Sequence, residues 1–380
     1  MNFKVLFEKY KNNTASEEER KIVEEEIEKL KVLNEYMDES FDLDYEIDIK
    51  TNIDQNNKGE LYKIRKSVKR RNRIIILSSV SIVLIIMVVF HSVIAPMLNK
   101  LYYNPDQKTY SMTNDLSIIL DSHVGLHYPN GSLVTVLANN TGIGKYSITI
   151  SKNNTFEGKT EYYYGDINKG KLDIESAFWR RGAIVNFFVN ATYPPYYMRE
   201  DEMENVIKRL ENAPPYTLIE AYISFEELLS MNELAEIMNV HKNIHWIGIR
   251  NSGEYKQVYP LIGISNKGGF IYEELNELYP HFNTALIASK DQITGDILEQ
   301  NFRSSLQFQI NHSATLETLS SNFPTKAYYE NTLVYINENG IKTYGVVVQG
   351  TPDTILELTQ LDGISGIRIS NSKFYLPYYN

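Results

Sequence analysis

Between Ile74 and Ile94 the chain runs for 21 residues without a charge. As a helix, at about 1.5 Å per residue, this run reaches roughly 30 Å, the thickness of a bilayer's hydrocarbon core. Its polar interruptions are Ser78, Ser79, Ser81, His91 and Ser92. Serine hydroxyls can bond back to the carbonyls of their own helix, and His91 stands near one end, where the interface is wet. A core helix seldom carries so long a run without a polar face. A cleaved signal peptide has a shorter apolar part near the N-terminus, not one beyond residue 70. The run predicts one transmembrane helix over 74–94, with a small piece before it and a large one after.

Flanking charge gives the expected orientation. The twenty residues before Ile74 hold eight Lys or Arg, among them Lys66, Lys69, Arg70, Arg71 and Arg73, and the twenty after Ile94 hold two. The positive-inside rule keeps the N-terminal piece in the cytoplasm and exports the rest. The five basic residues nearest the run flank the membrane and face anionic headgroups.

The chain has no cysteine, which removes disulfides, thiol catalysis and Cys-based zinc sites together. Residues 1–48 carry seven basic and fifteen acidic side chains, a balance of −8, and residues 49–73 carry nine and two, a balance of +7. An acidic head is repelled by phosphates and predicts no nucleic-acid partner. It suits a basic protein surface.

The first 37 residues read as two helices. Phe3, Leu6, Phe7 and Tyr10 fall on one face of a short helix, which Asn12-Asn13 breaks. Ser16 followed by Glu19 forms a capping box for a second helix, and Glu17, Glu18 and Glu19 suit the positive end of its dipole. Val23, Ile27, Leu30, Leu33 and Met37 then make a narrow apolar stripe. Two helices this short cannot bury both stripes within about 40 residues. The leftover surface predicts a partner. With about two heptads, too few for a sustained coiled coil, a different protein is favoured over a second copy. Residues 38–60, acidic and Asn-rich with alternating Phe41, Leu43, Tyr45, Ile47 and Ile49, read as a strand or as a segment ordered on binding.

Two stretches carry a family resemblance. "LFEKYKNNTASEEERKIVEEEIEKLKVLNEYMDE" before a basic stretch and a single span, and "YYENTLVYINENGIKTYGVVVQGTPDTILEL" near the C-terminus, resemble the membrane-anchored anti-sigma factors of Gram-positive bacteria that restrain extracytoplasmic-function sigma factors. Many of that family carry a His-x-x-x-Cys-x-x-Cys zinc core. Here there is no Cys, and no His before His91, so a zinc-type domain and zinc-linked redox sensing are excluded. The resemblance implies that the cytoplasmic helices clamp a sigma factor and that an envelope signal releases it, by proteolysis or by conformational change. On this reading Phe3, Leu6, Phe7, Tyr10, Val23, Ile27, Leu30, Leu33 and Met37 contact sigma. The implied partners are the sigma factor, the lipid bilayer, and outside an envelope ligand or a protease.

In the exported part, Ser132–Ala138 and Lys145–Ser151 read as β-strands around an Asn-Asn-Thr-Gly turn, and "AIVNFFVNAT" (183–192) as a third. Pro194-Pro195 and Pro214-Pro215 bracket a helix over 196–213 with Met203, Val206, Ile207 and Leu210 on one face, a stiff strut between two subdomains. Beyond it, 215–252 and 342–372 each read strand, helix, strand and each carry Gly-Ile-Arg near the end, a weak βαβ repeat expected to form one α/β layer. Start signals are Ser230 with Glu233, and Thr351 before Pro352. Gly340 is expected in the left-handed conformation, closing a helix Lys326–Glu338 with Tyr328, Leu333 and Ile336 inward.

Sites of chemistry are sparse. His241 and His245 have the spacing of two helical zinc ligands but lie in a β-like segment, and no Glu follows the first. "GIGKYS" (142–147) lacks the third glycine of a dinucleotide fingerprint. "AFWRR" (177–181) reads as a strand with an exposed basic edge. No catalytic, cofactor or metal residues are expected, and no enzyme.

The expected fold class is α+β: a small helical cytoplasmic head (1–48), a basic juxtamembrane linker (49–73), one transmembrane helix (74–94), an extracytoplasmic β-rich subdomain (95–200), and an α/β sigma-regulator C-terminal domain (201–380). The expected function is that of an anti-sigma factor acting at the membrane. The alternative is a membrane-tethered envelope ligand-binding or cell-wall-associated protein with no sigma partner. A mere anchor needs a few basic residues, not a capped amphipathic helix pair.

Overall fold

The computed structural model describes residues 3–42, 55–110, 113–179, 188, 198–253, 261–266, 274–282 and 292–374. The chain is α+β and divides into two compact units, Met1–Ile85 and Ile86–Asn380.

The first unit is helical. Helix α1 (Phe3–Lys11) stops where Asn13 takes a positive φ of 56°. Asparagine tolerates that conformation better than most residues. Helix α2 (Glu17–Asp42) follows. Helix α3 (Gln55–Val89) begins well before the apolar run, because Lys, Arg, Gln and Glu favour helix as much as the apolar residues do. Residues 38–42 and 55–60 are therefore helical and not extended, and 43–54 lie outside the described residues. The helical stretch Tyr62–Asn99, 38 residues, is long and apolar enough to cross a membrane, with none of its apolar window buried. The Ser78 and Ser79 hydroxyls both donate to the Ile75 carbonyl, at 2.8 and 2.9 Å, so neither presents an unpaired group.

Near its end the helix widens. Phe90–Ile94 form a π-helical turn in which the Ala95 N–H donates to the Phe90 carbonyl, followed by α4 (Ala95–Asn99). Pro96 accounts for this. It has no N–H for the Ser92 carbonyl and its ring crowds that oxygen, and a wider turn relieves both.

In the second unit, α5 (Asp115–His127) is buried along almost its whole length. Its start is capped by Asn114, whose Oδ1 accepts from the Ser117 N–H at 2.8 Å. On one side lies a four-stranded antiparallel meander, β1 (Gly131–Gly142), β2 (Lys145–Asn154), β3 (Lys159–Asn168) and β4 (Lys171–Ile174), in sequential order. The first hairpin runs longer than the sequence predicts. The Asn-Asn-Thr-Gly stretch is strand, and the turn falls at Ile143-Gly144. Tyr146, Ile148 and Ile150 face inward at the period of two and meet Leu116, Ile119, Leu120 and Val124 of α5. The same cluster takes in Phe308, Leu316, Leu319 and Phe323 from far along the chain. The stretch read as "AFWRR" is a short helix, α6 (Ser176–Trp179), and not a strand; Trp179 packs on this cluster, and Arg180 and Arg181 lie outside the described residues. So does the run 183–192, Phe188 excepted.

On the other side lies a five-stranded antiparallel sheet in the order β7-β6-β8-β5-β9. Its strands are β5 (Thr217–Ser230), β6 (Ile244–Ile249), β7 (Gly263–Ser265), β8 (Lys342–Gly350) and β9 (Ile364–Phe374). The sequence repeat is β5-α8-β6 and β8-α13-β9, with α8 (Met231–Val240) and α13 (Pro352–Thr359). The two strands of each repeat are not neighbours as in a simple βαβ unit. Both β5 and β6 pair antiparallel to β8, so they run parallel with β8 between them. Likewise β8 and β9 run parallel with β5 between them. This interleaving of two split βαβ units is the ferredoxin-like arrangement.

Both caps form as expected. Ser230 and Glu233 exchange backbone-to-side-chain bonds, and Thr351 caps α13 ahead of Pro352. Met231, Leu234 and Met238 of α8 and Ile355 and Leu358 of α13 cover one face of the sheet. Helix α7 (Glu200–Glu211) is not a free strut. It packs on α13 and β9, with Leu210 buried and Met203 and Val206 against the same core. Between β6 and β8 the chain adds β7, α9 (Leu275–Leu278), α10 (Gly295–Asn311), α11 (Ser313–Leu319) and α12 (Lys326–Asn339). After α12, Gly340 has φ 75° but ψ 165°, so it reverses the chain from an extended ψ and not from the left-handed helical well. Ile336 is buried, Tyr328 and Leu333 are half-buried, and Tyr329 and Thr332 are buried as well.

The opposite face of the sheet, bare of its own helices, is covered by α5. The Trp246 indole donates to the Gly125 carbonyl at 3.1 Å, and the His127 ring bonds the Leu261 carbonyl at 2.6 Å and the Tyr329 hydroxyl at 3.1 Å. Glu220, also buried, accepts from Asn130 and Gln349, each at 2.8 Å, and from Ser370 at 2.6 Å. A β-bulge at Thr343–Gly345 turns Tyr344 onto this face, where the tip of its ring lies against Gly248.

Candidate partner-binding site

Helices α1 and α2 pack antiparallel, and the contact is short. Leu6 of α1 and Val23 of α2 are buried against it, at 4% and 0% exposure. Around them the connection is tied down by polar bonds. The Ser16 N–H donates to Glu19 Oε2 at 3.0 Å, the Glu19 N–H to Ser16 Oγ at 3.3 Å, and Lys9 Nζ meets Glu19 Oε1 at 2.7 Å. The hydrogen bond from Lys9, then the one from the Ser16 backbone, hold the Glu19 carboxyl below the usual carboxylate range. Arg20 reaches back to Asn13 Oδ1 at 3.3 Å, and the Tyr10 hydroxyl to Glu24 at 3.4 Å.

Helix α1 has 9 residues and α2 has 26. At about 1.5 Å per residue these are roughly 13 and 39 Å, so α1 covers only the first third of its partner. The predicted residues divide accordingly. Leu6 and Val23 are the internal contact. Tyr10 and Ile27 are half-buried at its edge. Phe7, Leu30 and Leu33 are exposed, the two leucines at 49% each. The side chains of Phe3 and Met37 lie outside those described. Two residues that the stripe did not include, Ile22 and Val32, are exposed too. Ile22 falls about 20° from Leu33 at 100° per residue, so the helical wheel could have found it. Glu25, Glu28 and Lys29 flank this apolar surface, and Lys29 pairs with Glu26 at 2.7 Å. No bond is made or broken by such a surface. It is suited to burying an apolar ridge whose margins carry positive charge.

The predicted membrane-flanking residues Lys66, Lys69, Arg70, Arg71 and Arg73 are all exposed on α3. At 100° per residue Lys66, Lys69, Arg70 and Arg73 fall within an arc of about 100°, with Arg71 apart. His241 closes α8 and His245 lies in β6, so the pair does not share a helix. "GIGKYS" spans the β1–β2 turn.

The sigma factor regulator C-terminal family matches residues 210–370, which hold the whole interleaved sheet apart from the last residues of β9. The probable anti-sigma-M factor YhdL of Bacillus subtilis (strain 168) is 23% identical over 385 aligned positions that cover 98% of each chain. These two likenesses support an anti-sigma factor. The match runs the full length, through the helical head as well as the α+β domain. The likeness supports regulation of a sigma factor as its role, with a sigma factor as the implied partner. No solved structure matches the chain.

Proposed function

We propose that the chain is an anti-sigma factor that holds an extracytoplasmic-function sigma factor at the cytoplasmic face of the membrane and releases it in response to an envelope signal. The observation that carries the reading is the apolar surface of α2 beyond the reach of α1, with Leu30 and Leu33 half exposed amid Glu25 and Glu28. Exposed leucines on a highly charged helix cost free energy unless a partner covers them, and each large side chain so buried contributes roughly 1.5–3 kcal/mol. The apolar stretch within Tyr62–Asn99 anchors the head to the bilayer, with the basic arc of α3 on anionic headgroups. The large C-terminal unit lies outside and senses the signal, through an envelope ligand or a protease.

Leu30→Glu tests the contact. It is expected to weaken sigma binding tenfold or more and to raise transcription from the sigma-dependent promoter, with the helical content of the head unchanged. Leu6→Glu, by contrast, is expected to unfold the helix pair. If Leu30→Glu binds a co-purified sigma factor as tightly as wild type, the surface is not the contact. Orientation is read separately. A reporter active only in the cytoplasm is expected to be silent when fused after Asn380 and active before Met1, and the reverse result overturns the topology.

A further inference from the structure

The chain does not leave the apolar helix on a loose tether. Just past α4 it makes a tight turn, with the Leu101 N–H on the Leu98 carbonyl and the Tyr102 N–H on the Asn99 carbonyl, both at 3.1 Å. The Asn99 side chain then accepts from the Gly144 N–H in the β1–β2 turn at 2.7 Å. The Tyr102 ring lies on the same glycine, so close that a Cβ there would sit 2.6 Å from Tyr102 Cδ2. Gly144 has φ +64°, which glycine adopts without the penalty other residues incur. Its carbonyl accepts from the Lys169 N–H at 2.6 Å, which ties the β1–β2 turn to the β3–β4 turn. On that second turn sits Tyr103, whose Cβ is 3.8 Å from the Cβ position of Gly170. Tyr103 also packs on the meander's core.

Further along, the same segment is held again. Thr109 donates its N–H and its hydroxyl to the two oxygens of Asp115, at 2.8 and 2.5 Å, and the Asp115 N–H bonds the Gln107 carbonyl at 2.7 Å. Tyr110 meets His312, at the junction of α10 and α11, at 3.1 Å. One strap of a dozen residues is thus fastened to two hairpin turns at its start and to a helix junction at its end. Those three points belong to segments far apart in sequence, so the strap is docked only while the folded domain keeps them in register.

We propose that Asn99–Tyr110 is a latch: docked on the Gly144 and Gly170 turns it fixes the end of the apolar helix in the sigma-holding state, and undocking, favoured by whatever ligand or force separates the turns, is the step that releases sigma. The proposal rests on the sigma-holding reading above. A signal shifts the latch only by favouring the undocked state over the docked one.

The test uses the full chain in its own cells. The double substitution Asn99→Ala with Tyr102→Ala removes both grips from the strap side and leaves the hairpin intact. It is expected to raise a sigma-dependent reporter several-fold without any inducing stress, at unchanged protein level. The chain has no cysteine of its own. The pair Tyr103→Cys with Gly170→Cys, whose Cβ positions have the separation of a disulfide, can therefore lock the latch, and because Gly170 has φ +84° the single Gly170→Cys is run alongside and must keep wild-type abundance and reporter level. In the loosened background the oxidised pair is expected to return the reporter to the wild-type level, and a reductant to raise it again. If the pair fails to cross-link in wild-type background at normal abundance, the strap is not docked. If, in the loosened background, it cross-links but leaves the reporter raised, the docked strap is no latch. Leu30→Glu run alongside separates the two readings. If it raises the reporter and the strap variants do not, the latch alone fails. If neither moves it, the sigma reading falls and the latch's regulatory role with it.

Discussion

His312 shows how one side chain can carry a pH dependence. Its Nδ1 faces the Phe308 carbonyl at 2.8 Å and so carries the proton, which leaves Nε2 to accept from Tyr110. Burial disfavours the charged ring and lowers its pKa below the usual value, against weaker opposing effects of the Phe308 carbonyl and of Asp115. In the unfolded chain the same ring takes up a proton below about pH 6.5. Between the folded and unfolded values the unfolded state binds more protons, so stability rises with pH through that window and falls on acidification. His312→Gln is expected to flatten this part of the profile. Thermal midpoints of both proteins between pH 5 and pH 8 check it, and parallel profiles would exclude His312 as a source of acid sensitivity. Residue-scale burial also separates the predicted contact set: Val23 and Leu30 belong to one sequence stripe, yet one is sealed and the other half exposed, because α1 ends before it reaches Leu30.

At the scale of elements, the central strands are shaped by where rings lie on glycines. A Cβ at Gly248 would come 2.5–2.8 Å from three atoms of Tyr344. That ring is fully buried and stacked edge-on against Phe188 at 5.1 Å, so it has nowhere to retreat. Gly248→Ala is expected to cost about 1–3 kcal/mol by overpacking. Adding Tyr344→Leu is expected to recover part of that loss, since the ring is the obstacle. Chemical denaturation of the single and double variants measures both. A double variant no more stable than the single would place the clash in the backbone. The bulge at Thr343–Gly345 that aims Tyr344 leaves no mark in the sequence read alone, whereas the caps of α2, α8 and α13 do, because a cap is a bond between residues three apart.

For the whole molecule, the family match begins at residue 210, but one face of the sheet it contains is covered from outside it. Tyr222, Trp246, Tyr344 and Val347 form an apolar cluster on the face that α5 covers from outside the matched segment. A fragment 205–380 would expose that face and leave Glu220 without Asn130. It is expected to be aggregation-prone and to bind a hydrophobic dye, whereas 99–380 is expected to unfold cooperatively. Equal cooperativity in the two fragments would show that α5 is dispensable.

What the sequence determined by itself was local. The apolar run, the capping boxes, the alternation of Tyr146, Ile148 and Ile150, and the strand-helix-strand order of each repeat all rest on residues within a turn or a strand of one another. The resemblance to anti-sigma factors rested on such patterns too. Tertiary structure decided what distance along the chain conceals: that the two repeats interleave, that α5 is shared by two sheets, that α7 is a layer and not a strut, and that the strap Asn99–Tyr110 is docked on Gly144 and Gly170. Strand order and docking depend on which distant surfaces exclude water together. A hydrophobic pattern states that a face must be buried, but not which part of the chain will bury it.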